Sequence, residues 1–172
     1  MQSVLIALIC LFSLSDIYQF ALPGIGGGTS IQFSDFKGKK ILVVNTASGS
    51  LYTGQYARLE QLYQLYKDSL VIVAVPTNDF NHEGGSEQDI ASFVQNTYSI
   101  HYLLAGKTSV TGLGQSDLYK WLTNGEQNGA MTSTVQYDFQ KYLVGTDGHV
   151  IGYFTGAMDP MDSTIQNAIQ GR

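Results

Sequence analysis

Two apolar runs set the fold class of this chain. KILVVNT at residues 40–46 and LVIVAV at 70–75 lack the polar alternation of a one-sided strand, as expected of strands covered on both faces of a sheet. Between them Tyr56, Leu59, Leu62, Tyr63 and Tyr66 recur at i, i+3, i+6, i+7 and i+10, the stripe of an amphipathic helix. Two buried strands joined by a helix pair in parallel, through a right-handed crossover. The stretch NTASGSLYTGQY at 45–56 is then the turn at the carboxyl end of a central strand, where open α/β sheets keep their ligands. That turn offers Ser48 and Ser50, but no thiol, histidine or lysine.

The other elements complete an α/β order. Ile17–Ala21 and Thr29–Phe33 read as short strands around the glycine-rich GIGGG at 24–28. That loop does not lead from a strand into a helix, so it reads as a flexible hairpin connection and not as a phosphate cradle. Thr53 is the expected N-cap of the first helix. Ser86–Asn96 reads as a second helix with Ile90, Phe93 and Val94 inward, followed by an irregular stretch and a short helix around Leu118–Leu122. Tyr142–Gly145 and Val150–Phe154 form a hairpin about the turn Asp147-Gly148, and a last helix carrying Ile165 and Ile169 starts near Pro160. The order β-β-β-α-β-α-β-β-α, with one parallel crossover and a terminal hairpin, indicates a thioredoxin-like α/β fold. It has a mixed central sheet flanked by helices and an N-terminal β-hairpin.

Charge and length exclude several classes of function. The 172 residues make about one domain, and 14 acidic against nine basic residues leave a net charge of −5. The single basic cluster is Lys37, Lys39 and Lys40, so nucleic acid and anionic membrane surfaces are poor partners. Residues 1–15 hold an apolar run from Val4 to Leu14, the length of a signal-peptide core and too short for a membrane span. Ser13 and Ser15 fit the small positions of a cleavage site, although no Lys or Arg precedes the run. The expectation is an N-terminal export segment at 1–15, a domain at 16–172 and a periplasmic or extracellular destination, with the cytoplasm as the alternative. Cys10, the only cysteine, lies in that segment behind Ile9, which is too large for a lipidation signal. Removal of the segment leaves a chain without disulfide or thiol chemistry.

At this point three stretches resemble the glutathione peroxidase family. GKKILVVNTASGSLYTGQYARLEQLYQLYKD is similar to a segment carrying the family signature N-V-A-S-x-C-G-x-T-x-Q-Y. VPTNDFNHEGGSEQDIASF resembles F-P-C-N-Q-F-G-x-Q-E-P-G-S with its following helix, and VQYDFQKYLVGTDGHVIGYF resembles K-W-N-F-x-K-F-L-V-x-x-x-G. The likeness runs in order over residues 16–170. It implies a scaffold built to reduce a hydroperoxide at the expense of glutathione or thioredoxin, without a cofactor or a metal.

The same resemblance assigns the family's four reactive positions. The peroxidatic cysteine or selenocysteine corresponds to Ser50, and the supporting glutamine, tryptophan and asparagine correspond to Asp79, Tyr137 and Asp138. All four are changed, so a single engineered Cys→Ser exchange does not account for the sequence. Positions where relatives carry further cysteines are Thr77 and Val94, and the lone Trp121 matches a packing position in LYKWLT. A serine hydroxyl stays neutral at pH 7 even after the largest shifts protein sites achieve, about 3–5 units. It also has no counterpart of the sulfenic acid step. Ionised Asp79 and Asp138 only accept hydrogen bonds where the family has amide donors. The implied member is one whose peroxidase chemistry has been lost, acting by binding; a weak residual peroxidase is the alternative.

Other chemistry finds little footing. A serine hydrolase at Ser50 would need His82 as its base, and the turn lacks a G-x-S-x-G elbow. His82 reads as a solvated loop residue, His101 as a strand-end residue and His149 as part of the hairpin. The resemblance implies that Ser50, Asp79, Tyr137 and Asp138 converge around one shallow pocket, where one of the two carboxylates takes up a proton or a cation lies between them. Calcium, magnesium or a partner's lysine would suit such oxygen ligands. The short connection from Thr123 to Val135 resembles the monomeric branch of the family.

Overall fold

The computed structural model describes residues 15–172. The proposed export segment and Cys10 therefore lie outside the described residues, apart from Ser15. From the N-terminus, a 3-10 turn at Ile17–Gln19 leads into β1 (Ala21–Leu22), which pairs antiparallel with β2 (Ile31–Gln32). Next come β3 (Lys40–Thr46), α1 (Gln55–Tyr66), β4 (Leu70–Pro76), α2 (Glu87–Tyr98) and β5 (Leu103–Leu104). The chain ends with α3 (Asp117–Thr123), α4 (Gly125–Asn128), β6 (Lys141–Val144), β7 (Val150–Phe154) and α5 (Ser163–Gln170).

The five-stranded sheet has the order β5-β4-β3-β6-β7. β3 and β4 run parallel from Lys40↔Leu70 to Thr46↔Pro76, and β6 closes the other side of β3 antiparallel. This is the thioredoxin-like fold expected from the crossover and the terminal hairpin. The period of two along each strand divides the core. Ile41, Val43, Val73 and Val75 face Phe33, Leu118, Trp121 and Leu122 on one side. Leu42, Val44, Ile72 and Ala74 face Tyr56, Leu59 and Leu62 of α1, Ile90 and Val94 of α2, and Ile165 and Ile169 of α5 on the other. Each such fully buried aliphatic side chain stabilises the fold by roughly 1.5–3 kcal/mol, which is why both central strands are apolar on both faces.

Several boundaries differ from the sequence expectation, each for a local reason. The N-terminal strands shrink to two residues each because Asp16 accepts from Tyr18 N–H and winds Ile17–Gln19 into a 3-10 turn. GIGGG is tied down instead of free: Gly24 bridges to Ala105, and Gly26 N–H donates to Glu87 Oε2 at 2.7 Å. Thr53 does not cap α1. Thr53, Gln55 and Tyr56 donate their N–H groups to carbonyls three residues back, so a string of tight turns precedes the helix. α2 begins under a capping box between Ser86 and Asp89. The stretch read as irregular contains β5, too short to show a period. α5 starts after Pro160, with Asp162 as its N-cap.

Candidate functional site

The turn after β3 is fastened to the loop after β4. Ser48 donates both its N–H and its Oγ–H to Glu83 Oε2, at 2.6 and 2.9 Å. Gly49 N–H donates to the His82 carbonyl at 2.9 Å, and a Cβ at Gly49 would stand 2.8 Å from that oxygen, so the approach requires glycine. Ser50 is 4% exposed, and its Oγ accepts from Tyr52 N–H at 3.2 Å. The loop holds itself through Glu83 N–H on Asn78 Oδ1 and Lys107 Nζ on the Glu83 carbonyl, both 2.9 Å. Burial raises the Glu83 carboxyl above its ordinary value, against the lowering effect of the two Ser48 donors and Lys107.

The segment Tyr137–Phe139 is hung on one strand residue. Asn45 Nδ2 donates to the Tyr137 carbonyl at 3.0 Å, and Phe139 N–H donates to the Asn45 carbonyl at 2.6 Å. Phe139 has φ of 61°, a strained value for a bulky residue that its buried ring and this bond maintain. Between them Asp138 is fully buried, its Oδ2 2.6 Å from His82 Nδ1 and its Oδ1 without a partner. Gly156 lies directly on this segment: a Cβ there would run into the Asp138 carbonyl. The Tyr137 ring stands among Tyr52, Phe80 and His82, with centroids 5.8, 5.8 and 5.3 Å away. Two residues on, Lys141 is buried with Nζ donating to the Phe139 carbonyl at 2.7 Å, and loss of water pulls its ammonium down to about 7.

Of the residues named from the sequence, Tyr137 and Asp138 meet at His82, and Ser50 joins them through Tyr52. The Asp79 carboxylate turns to another loop, accepting from Val110 N–H at 2.6 Å, Thr111 N–H at 3.0 Å and Ser109 Oγ–H at 3.0 Å. Separate partners thus replace the shared cation considered for Asp79 and Asp138: backbone amides for one, an imidazole for the other. Among the described residues no group of three or more His, Cys, Asp or Glu side chains is placed to hold a metal ion. His82 is a loop residue only partly open to water, and its ring is held by the buried Asp138. It makes no hydrogen bond with Ser50 among the described residues, so the hydrolase geometry is not assembled. Trp121 packs as expected, buried against Phe20 with Nε1–H on the Ser15 carbonyl.

Sequence reasoning passed over Asn45, Gln55 and Glu83. Each coincides with a residue of the signatures quoted above, and that coincidence was the available signal. Asn45 and Glu83 are the fasteners just described, and buried Gln55 donates to the Gly156 carbonyl at 2.7 Å. Beside the turn lies an open cleft of about 310 Å³ lined by Ser48, Gly49, His82, Glu83, Ile90 and Phe93.

A mixed sheet whose distinctive turn follows the central parallel strand defines a thioredoxin-like protein. The glutathione peroxidase family model matches residues 17–123. A glutathione peroxidase of Lactococcus lactis subsp. cremoris is 37% identical over 147 residues, covering 84% of this chain and 92% of the relative. A glutathione peroxidase-like peroxiredoxin of Schizosaccharomyces pombe is 36% identical over 160 residues, covering 91% and 100%. Among solved structures, that of Trgpx in apo form superposes with a TM-score of 0.69 at 30% identity, over 92% of this chain and 97% of that one. The chain belongs to the glutathione peroxidase family.

Proposed function

We propose that this family member has lost peroxide reduction and acts as an exported, monomeric binding protein on the glutathione peroxidase scaffold. One observation carries the reading: the residue at the reactive turn is Ser50, a buried hydroxyl already engaged by Tyr52 N–H. A hydroxyl cannot pass through the thiolate and sulfenic acid states of peroxide reduction. The sole cysteine, Cys10, lies in the N-terminal apolar segment, and the domain at 16–172 has none. The surroundings support the same reading. Asp138 brings a buried carboxylate to the His82 ring, whereas a peroxidatic site needs hydrogen-bond donors directed at a developing anion.

The test is turnover of hydrogen peroxide and of a lipid hydroperoxide by the purified protein, with glutathione and with thioredoxin as reductant. The expected outcome is no consumption above the protein-free rate. Steady turnover with either reductant would overturn the proposal in favour of a weak peroxidase.

A further inference from the structure

We propose that the notch at the amino-terminal end of the β3–β4 pair is a binding site for a small aromatic monocarboxylate. The notch exists because β5 pairs only with Val73 and Ala74, so the start of β4 has no strand on that side among the described residues. The space left is a half-enclosed cavity of about 240 Å³ against Leu70, Val71 and Ile72, with the rings of Phe36, Tyr63 and Tyr102 around it. An apolar cavity of about 150 Å³ accepts a benzene ring, so this one has room for a single ring and a short acidic tail.

Charge selects the tail. Of the nine Lys and Arg side chains, only Lys39, Lys67 and Arg172 meet no carboxylate, carbonyl or ring among the described residues. Two of those three line this cavity. His101 also lines it, but its Nδ1 is held by Glu60 Oε1 at 2.8 Å. Asp35 is the one carboxylate on the lining. Two ammonium groups against one carboxylate leave a single positive charge for a ligand, which suits a monoanion and disfavours a dianion. The apolar floor rejects a bare anion, because desolving its charge there is unfavourable without an apolar body to bury. Ser50 lies beyond the opposite end of the seven-residue β3, about 20 Å away at 3.3 Å per residue. The site is therefore independent of the fate of peroxidase chemistry.

The test is chemical-shift mapping of the full-length protein with phenylacetate, benzyl alcohol and acetate as probes. Phenylacetate is expected to give saturable shifts at the amides of Lys39, Val71, Tyr102 and Leu103. Benzyl alcohol lacks the charge and acetate lacks the ring, and each is expected to bind at least tenfold more weakly. Lys39→Ala/Lys67→Ala, both at exposed positions, should weaken phenylacetate at least tenfold with the rest of the spectrum unchanged. The proposal is overturned if phenylacetate leaves those amides unshifted, if benzyl alcohol binds wild type as tightly, or if the double variant binds like wild type. The comparison of the three probes on wild type decides the matter even if the variant misfolds.

Discussion

The two ends of the β3–β4 pair share strands and differ in what their charges do. At the carboxyl end, the acidic side chains are met from within the chain: buried Glu83 by Ser48, buried Asp138 by His82, and exposed Asp79 by the amides of Val110 and Thr111. At the amino end, Lys39 and Lys67 flank an apolar cavity and meet no carboxylate among the described residues. Polar groups paired internally hold a loop in place and offer little to a charged ligand. Unpaired charge beside empty apolar space does the reverse. On that contrast, the turn that carries Ser50 is built as a structural junction, and recognition of a charged ligand has the better physical footing at the other end.

The largest expected effect concerns the carboxyl end. Ser50→Cys alone should turn over peroxide at least about 100-fold more slowly than Ser50→Cys/Asp79→Gln/Tyr137→Trp/Asp138→Asn, because each donor aimed at a developing anion is worth about 10²–10³ in rate. Stopped-flow peroxide consumption measures both. Equal rates would show that the pairing seen at Asp79 and Asp138 does not suppress reactivity.

Lys141 tests the junction beneath the site. Its folded-state value of about 7 lies below the ordinary 10.5, so between these pH values the unfolded chain binds more protons than the folded one. Stability therefore rises with pH across that window, by at most about 5 kcal/mol for a shift of this size. Urea titrations at pH 7, 8.5 and 9.5 should show the rise in wild type, and Lys141→Met should abolish it. The series stops below 10.0, because Tyr56 and Tyr142 are held protonated by burial and reverse the slope above that value. A flat wild-type profile would mean that the carbonyls around Nζ replace the lost water fully.

His82→Ala leaves the Asp138 carboxylate buried without its partner. A loss of about 2–3 kcal/mol is expected, below the 3–5 typical of a wholly buried pair because the imidazole is partly open to water. His82→Asn retains a donor and should recover part of it in the same urea titration. An unchanged midpoint for His82→Ala would remove the junction from the contrast. The smallest effect belongs to the amino end: Lys39→Ala/Lys67→Ala should shift stability by no more than about 0.5 kcal/mol. A larger loss would reveal structural partners for these lysines and sink the contrast from the other side.

The central strands were legible to the residue or nearly so, because a strand covered on both faces has to be apolar throughout and Pro76 marks its end. β5 was not legible, since two residues show no period. The start of α1 was misplaced at Thr53 because a good capping residue had already been drawn into the turns that bury Ser50. The family signatures singled out Ser50, Asp79, Tyr137 and Asp138, but residue type alone could not say where each carboxylate would point. Asp79 lies within reach of two free amides of a distant loop, and Asp138 within reach of a histidine 56 positions earlier.

Sequence alone determined the parallel crossover, the family and the presence of a serine, Ser50, in the turn after the central strand. Periodicity, signature spacing and the identity of Ser50 are local properties that need no coordinates. The pairing of Asp138 with His82, the fastening of Ser48 to Glu83 and the notch left beside β4 came only from the tertiary structure. Buried hydrogen bonds and cavities depend on which distant backbone and side-chain groups arrive within about 3 Å of one another, and the packing of the whole sheet decides that.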